Sequence, residues 1–380
     1  MATKRQHFVP RVYMKAWETQ AETSREPNRK FEGVYVFENS NEIGEGANRN
    51  SILWKPHLYT IKFKYLFIVN SCPKIYSDFV DMVYDVMRNR TLQPIYGKDG
   101  YSIIKTKKSI RKHLLNIDNW EFYYDDGNVA KQRSIKNQIE SLNSYVLESA
   151  FDECFETRWE RNLNDFIESV HNGIPVAMGM SERVIPVESA MNMLSFFFMM
   201  LCRSPQFDAM GIYTDIKNNI LYPIFEEMCI SDDLTTQEEM DAAIEEGKEY
   251  ANELMTGIWY SELYKMIYKN KGGFYHGTLV KAIKDCQMIL FEAYDDAGTF
   301  ITSDNPAFEH ISAVTRENSN GFVFPISPKY LLFIAKGADK INIVDHRFAN
   351  TDTVKHFNQI IKQHKMNMLI STEKNIRKVL

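Results

Sequence analysis

The residues best suited to chemistry in this chain are His7 and Arg11 near the N-terminus, Arg203 at the end of an apolar run, and Ser303, Asp304 and Asn305 in the segment Thr302-Ser303-Asp304-Asn305-Pro306. An imidazole titrates near neutral pH, so His7 suits general acid-base work, with Arg11 close by to hold an anion. The plainer role for such a histidine is to donate its ring proton to a carbonyl and anchor the terminus. Pro306 biases Asn305 toward extended backbone, which sets Asp304 and Asn305 on opposite sides of the chain. There Asp304 suits a metal ligand or general base, Asn305 an orienting amide and Ser303 a substrate contact. An Asx turn, with side chains satisfying local backbone donors, accounts for the same residues. The two accounts differ in outcome: Asp304→Asn abolishes turnover at unchanged stability if the carboxylate is catalytic, and leaves both intact if it only caps a turn. The Arg203 guanidinium needs a carboxylate, a phosphate or solvent, because burying it unpaired is too costly. A bridge to Glu148 or Glu156 satisfies it, as does a clamp on a substrate phosphate or carboxylate.

Positioning these groups requires rigid elements at both ends of the chain. Gly33 to Glu38 alternates as a strand does, between a polar loop at Glu18 to Lys30 and a second loop at Asn39 to Asn50. Leu58 to Asn70 has strand-like density of aromatic and β-branched residues, while Ser77 to Asn89 and Lys105 to Leu115 turn helical, the latter with a cationic face. From Ser134 to Lys271 the apolar period is helical; Phe151, Phe155, Trp159, Leu163, Phe166 and Val170 step along one face until His171-Asn172-Gly173 stops the helix. Pro186 to Cys202 is apolar nearly all round and reads as a central helix, and Gln237 to Lys269 gives another. Strand patterning returns at Gln287 to Tyr294, which pairs as a hairpin with Thr299 to Ser303 across Asp295 to Gly298. Gly321 to Ser327 and Tyr330 to Ala335 form a second hairpin, Thr351 to His364 a helix, and Met366 to Ser371 a closing strand. The expected fold class is α+β, with sheet-forming segments at both chain ends around a mainly helical middle. The expected parts are residues 1–133, 134–271 and 272–380.

Charge supports that division. Net charge is +7 over residues 1–140, −15 over 141–270 and +3 over 271–380, within an overall −5. An acidic protein is not a general polyanion binder, yet basic flanks can still meet phosphates. No apolar run reaches the length of a membrane span, and the N-terminus opens polar and basic, so a cytoplasmic protein with no membrane partner is expected. The five cysteines are scattered without a CxxC pair, which fits reduced thiols and excludes a cysteine zinc site of ordinary spacing. Neither a GxxxxGK[ST] phosphate loop nor an HExxH or GxSxG motif occurs. Glu246-Gly247-Lys248 has the form of a nuclease motif but falls in an acidic helical run rather than on strands.

His7-Phe8-Val9-Pro10 followed by Tyr13, Met14, Lys15 and Trp17, then Leu58-Tyr59-Thr60, Arg203-Ser204-Pro205, Phe300 to Pro306, Phe324-Pro325-Ile326-Ser327-Pro328 and Asn358 form an ordered set across nearly the whole chain. In that order they resemble a bacterial family known as domain-of-unknown-function family 4238, from which Ser204 for threonine and Met14 for leucine are mild departures. The resemblance carries no reaction, but such genes occur in bacterial conflict settings and imply a defence or toxin role. Two functions are therefore expected. One is a hydrolase acting on nucleic acid or a nucleotide, with His7, Asp304 and Asn305 catalytic, Arg11, Arg203 and Ser303 binding substrate, and a divalent metal as candidate cofactor. The other is a non-enzymatic sensor or interaction module that binds a partner protein or a second copy of itself. Either way, the two ends of the chain should meet in space.

Overall fold

The computed structural model describes residues 5–39, 41–56, 58–59, 73–96, 102–205, 212–229, 234, 236–268, 273–311, 320–336 and 341–380. The strand expected at Leu58 to Asn70 lies outside these from Thr60 onward. The chain is α+β, with strands toward both ends and helices through the middle. It forms two compact units, each assembled from separated stretches: Met1–Gln6, His57–Phe151 and Asp208–His276 in one; His7–Pro56, Asp152–Phe207 and Gly277–Leu380 in the other. The consecutive parts expected from charge and periodicity are interleaved in these units.

The first unit holds a three-stranded antiparallel sheet of Leu92–Tyr96, Ser102–Ile103 and Trp120–Tyr124, with helices at Pro73–Asn89, Lys107–His113 and Gln132–Ser141. Its longest helix, Gln237–Ile267, opens with a capping box between Thr236 and Glu239. That helix leaves Glu238, Glu239, Asp241, Glu245, Glu246 and Glu249 exposed, so much of the acidic charge of the middle region is a solvated face.

The second unit carries the motifs. Its elements in chain order are β1 (Thr19–Glu22), β2 (Lys30–Glu38), β3 (Glu45–Ala47), α1 (Trp159–His171), β4 (Ile174–Pro175), β5 (Glu182–Val184), α2 (Val187–Arg203), β6 (Cys286–Ala293), β7 (Thr302–Ser303), β8 (Phe308–Ile311), β9 (Asn320–Pro325), β10 (Tyr330–Lys336), β11 (Ile343–Ala349), α3 (Thr351–His364) and β12 (Met368–Ser371). A seven-stranded sheet runs β8-β9-β10-β6-β11-β5-β4, and a smaller one runs β7-β12-β2-β1 with β3 against β2. Within the larger sheet β6 is antiparallel to β10 and parallel to β11.

Alternation divides the β6 side chains between the two faces of the sheet. Ile289, Phe291 and Ala293 join Leu331, Phe333, Val354, Phe357 and Ile361 in a core beneath α3. On the other face α1 and α2 cover β9 through aromatic contacts: Phe197 lies 5.3 Å from Phe322 and 5.8 Å from Phe324, ring centre to ring centre, and Trp159 stacks on Phe196 at 3.7 Å. The two chain ends meet within this unit. β2 pairs with β12, the Tyr13 hydroxyl bonds to the Pro325 carbonyl at 2.6 Å and to Thr302 Oγ1 at 2.7 Å, and the Trp17 indole donates to the Phe300 carbonyl at 3.0 Å.

Several local expectations change. Thr302–Ser303 pairs with β12 rather than with β6, because the reversal at Asp295 to Gly298, where Gly298 has φ 88°, delivers the chain to the other sheet. The loops expected at Glu18 to Lys30 and Asn39 to Asn50 contain β1 and β3; in β1 only Ala21 is buried, so its sequence carries no clear alternation. β11 and the short β4–β5 hairpin were not anticipated as strands. They owe their pairing to neighbours distant in sequence.

Candidate metal centre

The Asp304 carboxylate is buried and accepts three backbone N–H groups: Met366 at 2.8 Å on Oδ1, Asn367 at 2.7 Å and Met368 at 3.2 Å on Oδ2. These lie at the reversal from α3 into β12. The Asn305 amide donates to the His364 carbonyl at 3.0 Å, and the Ser303 hydroxyl bonds with the backbone of Asn305. Asn358 clips the preceding segment: it accepts from Ile301 N at 3.0 Å and donates to the carbonyls of Thr299 and Val379. The SDNP segment is thus a backbone clasp, with Ser303 Oγ, both Asp304 oxygens and the Asn305 amide nitrogen bound to the main chain around it.

Arg203 closes a second clasp. Fully buried at the end of α2, it pairs with Glu156 Oε1 at 2.9 Å and donates to the His7 carbonyl. The bridge to Glu156 is one of the two carboxylates foreseen for it, and its contact with His7 is to the main chain. Arg11 reaches Asn50 Oδ1 at 3.5 Å on the surface.

A different convergence forms on the α1 side of the seven-stranded sheet. Glu292 of β6 stands opposite Tyr330 of β10 and Phe348 of β11, and His346 lies diagonally one step away, opposite Leu290. All four project from the same face. His171 reaches this face because α1 ends there, at Asn172-Gly173. Both His171 Nε2 and His346 Nε2 lie 2.9 Å from the same oxygen, Glu292 Oε2. The three potential ligand atoms fall within 4.8 Å of one another. Tyr330 donates to the other carboxylate oxygen at 3.4 Å, and Lys329 Nζ approaches it at 3.6 Å.

Electrostatics sets the protonation states. Burial opposes the charge on Glu292, but hydrogen bonds from His171 and His346 and their positive field outweigh it, so its carboxyl lies below the usual range. Burial pushes His346 below the ordinary imidazole value; Glu292 opposes that shift, while His171 and Arg183 add to it. Burial and the Glu292 charge raise the Tyr330 phenol, keeping it a proton donor. A metal ion would take the place of the Nε2 protons that these hydrogen bonds use, the imidazoles binding it in their neutral form beside the ionised carboxylate.

The geometry suits an ion. Ligands held at about 2.1 Å around a tetrahedral ion lie roughly 3.4 Å apart, so the two 2.9 Å hydrogen-bonded separations need open only by tenths of an ångström to admit one. Two histidines and one carboxylate form the donor set of catalytic zinc sites and of non-haem iron sites. The sequence does not single these residues out, for identifiable reasons. His171 reads as a helix stop, and His346 sits in a strand with no local signal of its own. Glu292 offered a signal, as an acidic residue at a buried position of an apolar strand, a placement that demands partners.

No curated protein and no solved structure matches this chain. A family model does, over residues 5–375. Its description is "Protein of unknown function (DUF4238)", and the chain belongs to that family.

Proposed function

We propose that the protein is a metal-dependent hydrolase of nucleic acid or nucleotide, its ion held by His171, Glu292 and His346, and that it serves as effector of a bacterial defence or toxin system. The observation that carries the reading is the approach of two imidazole Nε2 atoms to one carboxylate oxygen, each at 2.9 Å. An ion held by these three residues would supply a Lewis acid and a bound water acidified toward neutrality, with His171, Glu292 and His346 as its protein ligands. The His171 edge is exposed, so solvent reaches the site; that favours hydrolysis over chemistry that needs water excluded. Tyr330, protonated and on the carboxylate's second oxygen, is placed to donate to a developing oxyanion or leaving group. Lys329 and Arg183 supply positive charge beside the ligands.

The test is hydrolysis of single-stranded RNA, single-stranded DNA and nucleoside triphosphates by purified protein with zinc or manganese, alongside toxicity on expression. Turnover abolished by chelator and by His346→Ala, with the variant still melting cooperatively near the zinc-free wild type, is the expected result. Turnover indifferent to both defeats the reading. One observation favours the alternative of an interaction module: the β4–β5 hairpin leaves Ile174, Val176, Met178 and Met180 exposed. On that account toxicity survives His346→Ala.

A further inference from the structure

We propose that Tyr294 and Phe348 form the base-stacking platform of this site, and that its substrate is a nucleobase carrying phosphate. The inference rests on the metal-centre reading for its location and on independent residues for its content. Phe348 is the β11 partner of Glu292, and Tyr294 follows β6 on the same face, its backbone N–H bonded to the Ala349 carbonyl at 3.0 Å. The two rings stack on each other, with centroids 5.2 Å apart and planes 13° from parallel. They remain 49% and 55% exposed. Other large aromatics of this sheet face, such as Phe324, are buried under α1 and α2, so an open stacked pair here is not explained by packing.

Its neighbours specify what the platform would take. The Phe348 ring lies 5.0 Å from that of His346, so a planar group laid on Phe348 sits beside the ligand atoms. Two cations flank the same ligands. Lys329 is shared between Glu292 at 3.6 Å and Asp295 at 3.1 Å and keeps about half its side chain exposed, and Arg183 of β5 stands opposite Val344, two residues from His346 on the same face. Aromatic faces accept any base, since every base has a π-face, while the cations favour the attached phosphate. A flat apolar group lacking phosphate would use the rings but not the charges. Phosphate alone would use the charges but not the rings.

The experiment titrates purified protein, zinc-loaded and zinc-free, with adenosine monophosphate, ribose 5-phosphate and a hexameric single-stranded RNA. Stacking of one base should make the nucleotide bind roughly tenfold tighter than the sugar phosphate. Tyr294→Ala/Phe348→Ala should erase that preference while leaving zinc content and melting temperature unchanged, because both rings are exposed. A hexamer that outcompetes the monophosphate assigns single-stranded nucleic acid as the source of the base; equal affinity assigns the free nucleotide. Equal binding of nucleotide and sugar phosphate by the wild type, or a preference that persists in the double variant, overturns the platform. A protein that takes up no zinc but keeps the base preference removes the metal reading and retains the platform, so the two fail separately.

Discussion

The SDNP clasp and the His171–Glu292–His346 cluster both place a low-exposure carboxylate among several donors, yet they differ in what those donors are. Asp304 is held by three backbone N–H groups of one chain reversal. Glu292 is held by side chains from a helix end and two neighbouring strands. Main-chain donors cannot be displaced without unfolding the reversal, so Asp304 is committed to architecture. Side-chain donors can turn toward an ion or substrate, so Glu292 is available for chemistry. The partners of a carboxylate, more than its burial, separate the two roles.

The largest expected effect on the architectural side is at Arg203. Removing its guanidinium strands Glu156, itself largely buried, and Arg203→Ala should cost about 3–5 kcal/mol, read as the shift in a urea midpoint at unchanged slope. A loss well under about 1 kcal/mol would mean that the pair behaves as a surface bridge. Next comes Asp304→Asn. Both oxygens accept backbone N–H groups, so an amide must turn its NH2 toward at least one donor, and the variant should lose about 1–3 kcal/mol while keeping metal content and any turnover. This differs from both outcomes expected on sequence grounds, since the carboxylate caps a remote reversal with two oxygens rather than its own turn with one. Activity lost at unchanged stability would restore Asp304 to catalysis and collapse the comparison.

What could be read from sequence follows the range of the interactions involved. The helix at Thr351–His364, the β9–β10 pair and α2 are announced by local periodicity and turn residues, and they fold where expected. Arg203 is legible as paired because an arginine ending an apolar helix has few alternatives, and Glu156 is one of the two carboxylates, with Glu148, that its sequence offers. The roles of Ser303, Asp304 and Asn305 divided evenly on sequence, because a proline-bounded polar turn serves catalysis and capping with the same residues. The candidate centre was out of reach for a different reason. His171, Glu292 and His346 are separated by more than a hundred and by fifty-odd positions, and only the parallel pairing of β6 with β11 and the point where α1 ends bring them together.

The smallest expected effect on stability accompanies the most direct test. Metal-stripped protein titrated with zinc should bind one ion per chain and melt at a higher temperature in its presence, as any ligand specific to the native state requires. His171→Ala, at the exposed edge of the site, should leave the zinc-free melt nearly unchanged and weaken binding at least tenfold, and Glu292→Gln should abolish the thermal shift. A wild-type protein that takes up no ion, or one whose uptake is indifferent to both substitutions, would show that the three side chains are a polar clasp like that of Asp304 and contradict the account.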